Sequence, residues 1–123
     1  MKESIAIVVD DSASSVRMME SVLRKARFSV VSTNFPNDLA TIVAAYQPSL
    51  LVLDAEMPGV DGPSLVRFMR DDPDLSDTTV LLHSALDEEE LARRVTECAA
   101  DGYVLKSHDR SVVERQLKAW LLR

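Results

Sequence analysis

The chain of 123 residues predicts an α/β fold, a three-layer doubly wound sandwich in which a parallel sheet lies between helices. Two observations predict it. Short apolar runs alternate with segments of helical period, the signature of repeated strand and helix units. The strand candidates are also apolar throughout rather than in alternation, as strands covered on both faces must be. Right-handed crossovers between parallel strands then put helices on both sides of the sheet.

Five such units follow one another. Ile5 to Val9 reads as a buried strand. Ser14 or Ser15 can cap a helix running to about Arg27, with Val16, Met19, Leu23 and Ala26 on one face. Val30 and Val31 form a weaker second strand. After Pro36, Leu39, Ile42, Val43 and Tyr46 fall at helical spacing, and Gln47-Pro48 ends that helix because proline disfavours α geometry just before it. Leu50 to Leu53 is the third strand. Pro63 suits the first turn of a third helix, where its missing N–H has no partner to lose, and Leu65, Phe68 and Met69 make the apolar stripe. Asp71-Asp72-Pro73-Asp74 closes it. Val80 to Leu82, carrying on to His83, is the fourth strand. Asp87-Glu88-Glu89-Glu90 puts negative charge where the next helix dipole favours it, and Leu91, Val95, Cys98 and Ala99 face inward. Gly102 to Leu105 is the fifth strand. Asp109 or Ser111 opens a last helix carrying Val113, Leu117, Trp120 and Leu121 on one side.

Length and 46% apolar residues suit one domain, spanning residues 1–123, with one proper core. Fourteen basic against twenty acidic residues leave a net charge of −6, which argues against direct nucleic-acid binding, whose contacts must neutralise phosphate. No apolar stretch approaches the roughly 20 residues that span a bilayer, and the start Met-Lys-Glu-Ser lacks a signal-peptide core. A soluble, cytoplasmic protein with no membrane partner is expected. Cys98 is the single cysteine, so no intrachain disulfide or cysteine metal site is available, and it reads as a small buried hydrophobe.

Three of the strand candidates stop at charged residues: the first at Asp10 and Asp11, the third at Asp54, the fifth just before Lys106. In a parallel sheet these ends share the edge beyond which α/β proteins bind ligands. Three converging carboxylates would repel unless a cation lay between them, and an oxygen-only donor set suits a hard ion such as Mg²⁺. Lys106 adds a mobile point charge suited to phosphate. Asp54 can then serve as a carboxylate nucleophile toward a phosphoryl group, with Ser84 at the end of the fourth strand able to donate a hydrogen bond. The stretch from Asp54 to Gly62 is the one long connection, and long loops in compact domains tend to carry function.

From end to end the chain resembles the response-regulator receiver domain of two-component signalling. The matching segments are Ile-Ala-Ile-Val-Val-Asp-Asp-Ser at 5 to 12, Leu-Val-Leu-Asp-Ala-Glu-Met-Pro-Gly-Val-Asp-Gly at 51 to 62, Ser84-Ala85, and Asp-Gly-Tyr-Val-Leu-Lys at 101 to 106. The resemblance implies a flavodoxin-like sheet in the order 2-1-3-4-5, as in CheY-like domains. It implies that Asp54 accepts a phosphoryl group from a phosphohistidine on a histidine kinase or histidine phosphotransfer protein. It implies Mg²⁺ held by Asp11, Asp54 and the backbone carbonyl of Glu56, with Asp10 acting largely through water and Lys106 on the phosphoryl oxygens. It further implies that the Ser84 hydroxyl moves toward the new phosphoryl group and that Tyr103 turns inward behind it. The surface of the fourth helix, fifth strand and fifth helix would repack for a downstream protein target, or for a homodimer, on which the sequence is silent. Both a stand-alone regulator and the receiver part of a longer protein fit this reading.

Three positions depart from the family's pattern. Ser107 stands where the family has a proline joined by a cis bond; a non-proline cis bond costs about 3 kcal/mol, so this bond is trans or strained. Glu56, two beyond the acceptor, can oppose the incoming group or hold the attacking water. Leu86, two beyond Ser84, cannot position water, so slow autodephosphorylation is expected. His83 reads as a hydrogen-bonded structural residue and His108 as solvated. Arg93, Arg94 and Arg110 read as a solvated face or as a site for an acidic partner.

Three other functions compete. A receiver-like interaction module that takes no phosphate is conceivable from Ser107 and Glu56, against the retention of every charged site residue. A haloacid-dehalogenase-type phosphatase shares the order of Asp54, Ser84 and Lys106, but that family's motif wants Asp at position 56 and its acidic pair after the lysine. A flavodoxin-type flavin carrier ranks last, since Asp10-Asp11 would repel a flavin phosphate.

Overall fold

The computed structural model describes residues 4–33, 39–57 and 61–122. Strands and helices alternate as β1 (Ile5–Val9), α1 (Ala13–Lys25), β2 (Ser29–Thr33), α2 (Leu39–Tyr46), β3 (Leu50–Asp54), α3 (Gly62–Asp71), β4 (Thr79–Ser84), α4 (Glu88–Cys98), β5 (Gly102–Leu105) and α5 (Arg110–Leu121). The five strands form one parallel sheet in the order β2-β1-β3-β4-β5. This is the expected fold. Pro36, Pro58 and Gly59 lie outside the described residues.

The pattern of burial explains why some strands were plainer in the sequence than others. All of β3 is buried, so its run is wholly apolar up to Asp54. β2 is an edge strand whose residues are exposed or half-buried, and its run is accordingly broken by serines. Two cores flank the sheet. One joins Ala6, Val8, Val52 and Leu81 to Met19 and Leu23 of α1 and to Val113 and Leu117 of α5. The other joins Ile7, Leu51, Leu53, Val80 and Leu82 to Val43 of α2, Val66 and Met69 of α3, and Leu91 and Cys98 of α4.

Helix starts follow side-chain capping. Asp61, Asp87 and Asp109 cap α3, α4 and α5 by accepting from Ser64 N at 3.0 Å, Glu90 N at 2.9 Å and Ser111 N at 2.9 Å. The cap of α1 is Ser12, not Ser14 or Ser15: its hydroxyl accepts from Ser15 N at 3.4 Å. Four residues assigned to inner faces are exposed instead. Ala26 and Ala99 are the C-caps of α1 and α4, Ala99 in the left-handed region at φ 59°, and a cap has already left the helical face. Tyr46 closes α2 and is 46% exposed, while Phe68 is 40% exposed because the inward stripe of α3 runs through Leu65, Val66 and Met69.

Three side chains pin the far edge of the sheet. Arg70 of α3 donates to Ser76 O at 3.0 Å, Thr78 O at 2.7 Å and the Asp101 carboxylate at 2.8 Å, which in turn accepts from Val80 N at 2.7 Å. Arg70→Ala removes a charged donor from three acceptors ahead of β4 and β5, and should lower stability by about 2 kcal/mol, read as a shift in denaturation midpoint at unchanged slope. At β5, Gln116 of α5 takes both backbone groups of Leu105, accepting from its N–H at 2.9 Å and donating to its carbonyl at 3.1 Å. Trp120 donates from its indole N–H to Tyr103 O at 3.0 Å and lies across Gly102.

Candidate functional site

Side chains alternate across a sheet, so each face continues past its core into the loops. On β1 the face toward α1 and α5 runs Ala6, Val8 and then Asp10; on β3 it runs Leu50, Val52 and then Asp54. On β4 it runs Leu81 and then His83, and on β5 Val104 and then Lys106. The register sets Val9 beside Leu53 and Asp54 beside His83, which brings these ends level. The charged residues meet because each is the next residue of one sheet face after the apolar ones run out.

The three aspartates each offer an oxygen to a cluster whose atoms lie within 4.8 Å of one another. Asp10 and Asp54 are buried, at 2% and 6% exposed, and Asp11 is exposed at the rim. Lys106 Nζ lies 3.1 Å from Asp10 Oδ2 and 3.3 Å from Asp54 Oδ2. Each acid's other oxygen is held by the backbone: Asp10 Oδ1 accepts from Ser12 N at 2.9 Å and Asp54 Oδ1 from Glu56 N at 2.9 Å. Burial raises the Asp10 carboxyl above its ordinary range, against the lowering effects of Ser12 N–H and Lys106. Burial alone would lower the Lys106 ammonium, but the hydrogen bond and charge of Asp10, helped by Asp54, raise it. One lysine among three buried or rimming carboxylates leaves an excess of negative charge, and an all-oxygen donor set of this kind could hold a metal ion.

The opposite face of β4 and β5 carries the two proposed switch residues. Ser84 is fully buried; its hydroxyl donates to Glu56 Oε2 at 3.3 Å and accepts from Leu86 N at 3.0 Å. The carboxylate of Glu56 is thus engaged with the serine. Tyr103 is half-buried and its hydroxyl donates to Glu88 Oε1 of α4 at 2.7 Å, a bond that raises its own ionisation range. The Lys106–Ser107 bond is trans, as a residue without the proline ring prefers, and Ser107 Oγ accepts from Asp109 N at 3.0 Å to shape the turn into α5.

Several residues have roles that the sequence did not disclose. His83 is not the hydrogen-bonded histidine expected: it is buried, neither ring nitrogen has a hydrogen-bond partner, and its Nδ1 stands 3.9 Å from Asp10 Oδ2. Arg94 is more than a solvated charge, since it donates to Ala55 O, next to Asp54, at 3.2 Å while pairing with Glu90. Arg93 pairs with Glu90 and with Glu97 at 2.8 Å on the open face of α4, and Arg110 reaches Ser21 O at 3.4 Å. His108 is exposed as expected. Gln116 holds the backbone just before Lys106, and a glutamine within a helix gives no motif that would announce it.

Among the described residues no helix is long and apolar enough to cross a membrane. The response regulator receiver domain profile matches residues 6–118. A curated relative, a probable transcriptional regulator ycf27 of Porphyra purpurea, is 33% identical over 124 residues, covering 99% of this chain and 49% of its own length. The chain thus spans about half the length of that relative. Among solved structures, a putative response regulator from Chloroflexus aurantiacus superposes with a TM-score of 0.83 at 24% identity, covering 99% of this chain and all of its own. The chemotaxis response regulator CheY4 of Vibrio cholerae does so with 0.81 at 19% identity, covering 96% and 98%. With the sheet order, the acidic pocket and the profile match agreeing, the chain belongs to the response regulator receiver domain family.

Proposed function

We propose that the chain is a phosphoryl-accepting switch of a two-component relay, with Asp54 as acceptor and a histidine kinase or histidine phosphotransfer protein as donor. The observation that carries this is the posture of Asp54: Oδ1 is fixed by Glu56 N–H, while Oδ2 faces Lys106 at 3.3 Å inside the acidic cluster. Oδ2 attacks phosphorus, the O–P bond forms as the P–N bond to the donor imidazole breaks, and the imidazole leaves. Lys106 turns its ammonium onto the phosphoryl oxygens and offsets their charge. Mg²⁺, held by Asp11, Asp54 and the Glu56 carbonyl with Asp10 acting through water, would supply the remaining neutralisation.

The outcome is a change of protein contacts. A phosphoryl oxygen competes with Glu56 for the Ser84 hydroxyl, and a shift of Ser84 opens room for Tyr103, which gives up Glu88. The surface of α4, β5 and α5 then presents a different set of side chains to a downstream protein or to a second copy.

Incubation with Mg²⁺ and a small acyl phosphate should add one phosphoryl group to the wild type and none to Asp54→Asn, read by intact mass. After the donor is removed the label should persist for minutes or longer, since Leu86 orients no water. An unchanged wild-type mass would leave an interaction module that takes no phosphate, and a labelled Asp54→Asn would exclude this acceptor.

A further inference from the structure

His83 is the one described buried side chain whose ring polar atoms both lack a hydrogen-bond partner, and it lies directly against the acidic cluster. Its side chain is 3% exposed, which keeps bulk solvent from the ring. An apolar residue would fill the same place on β4 without leaving a donor and an acceptor unsatisfied. A use for the imidazole is found in what happens to its neighbour.

In the resting site Lys106 serves two acids at once, Asp10 at 3.1 Å and Asp54 at 3.3 Å. A phosphoryl group on Asp54 draws the ammonium to its own oxygens and takes it from Asp10. The Asp10 carboxylate cannot follow, because Ser12 N–H pins Oδ1 at 2.9 Å. Bulk water has little access to Oδ2, since that side chain is 1% exposed, and a water carried by Mg²⁺ would satisfy only one of its two lone pairs. His83 Nδ1 is 3.9 Å away, so a closure of about 1 Å makes an ordinary N–H···O bond. An imidazole carries an N–H in either charge state, and nothing else competes for one at Nδ1.

We propose that His83 is a positioning residue of the acceptor site, whose ring donates from Nδ1 to Asp10 Oδ2 when Lys106 moves to the phosphoryl group. This rests on the phosphoryl-acceptance reading above. It makes His83 silent, and mildly costly, in the resting domain and useful in the loaded one. It also keeps Asp10 aimed at the cation position, the service that outer groups give to metal-site carboxylates.

The test uses the whole chain with Mg²⁺ and beryllofluoride, which stands in for the phosphoryl group. Fluorine NMR titration should show His83→Leu binding beryllofluoride about 10-fold more weakly than the wild type, with His83→Gln, which restores a donor, recovering part of the loss. His83→Leu without ligands should melt no lower than the wild type. A merely structural histidine would give the reverse, a lower melting point with unchanged affinity. On the unaltered protein, ¹⁵N-histidine spectra should show Nδ1 protonated, its proton moving downfield only when both Mg²⁺ and beryllofluoride are present. Equal affinities of His83→Leu and wild type, or an unprotonated Nδ1 in the loaded state, overturn the role of His83 alone. A wild type that takes up no beryllofluoride overturns the acceptor reading and this inference with it.

Discussion

Gly102→Ala should lower the stability of the domain by about 3 kcal/mol, near the upper end of what overpacking costs. The added Cβ would lie 2.1 Å from Cζ2 and 2.2 Å from Cη2 of Trp120, distances that no real methyl group tolerates. Backbone strain is not the cause; the loss arises because the indole must leave. Trp120 would give up both its cover over β5 and its bond to Tyr103 O. Since Trp120 is the only tryptophan, its emission reports the same event. The variant should show a red-shifted emission maximum before denaturant is added, together with a lower denaturation midpoint. An unshifted maximum with wild-type stability would mean that the indole does not lie across Gly102. Trp120→Phe in the Gly102→Ala background should recover part of the loss, because the smaller ring leaves space for the methyl group.

Mg²⁺ at a hundred times its dissociation constant should stabilise the wild type by about 2.7 kcal/mol, or about 10 °C in melting temperature. Asp10→Asn should behave in the opposite sense, melting higher than the wild type without metal and gaining much less from it. The sign comes from Asp10, whose carboxyl is raised by burial above its ordinary 3.8. An acid raised on folding is no burden below its ordinary value, where it is protonated in both states; its cost appears as pH climbs through the raised value and stays at neutrality. The advantage of Asp10→Asn in metal-free buffer should therefore be present at pH 7 and vanish as pH falls below about 4. Calorimetry with chelator, across that range, checks it. Should Asp10→Asn melt lower than the wild type at pH 7 without metal, the burial of an ionised Asp10 is not what limits stability there.

What could be read in advance depended on the range over which each residue acts. The buried runs at Ile5 to Val9 and Leu50 to Leu53 are decided by their own neighbours, and the charges ending them were legible because strand ends in a parallel sheet share an edge. Asp10, Asp54 and Lys106 therefore come together as the spacing implied. Helix ends were less legible where no proline follows: Ala99 and Ala26 continue the apolar period of their helices, yet the chain turns away at each, whereas Pro48 marked the end of α2 at Tyr46. Phe68 misled because aromatic bulk suggests burial, whereas Leu65, Val66 and Met69 already fill the inward side of α3. Glu56 engaging Ser84, Arg94 reaching Ala55 O and His83 standing unpartnered are contacts between distant segments, set by the packing of the finished sheet.

The bonding of Gln116 and Trp120 along β5 bears on how another protein can approach this side of the molecule. An outermost strand ordinarily offers its free amides and carbonyls to any extended peptide, a generic and poorly selective invitation to add a sixth strand. Here Leu105 has neither group to spare and the Tyr103 carbonyl is already bonded. Recognition at this border must therefore proceed through side-chain shape and charge, so what a visiting protein senses is the identity of the residues displayed there and not the mere presence of an open edge.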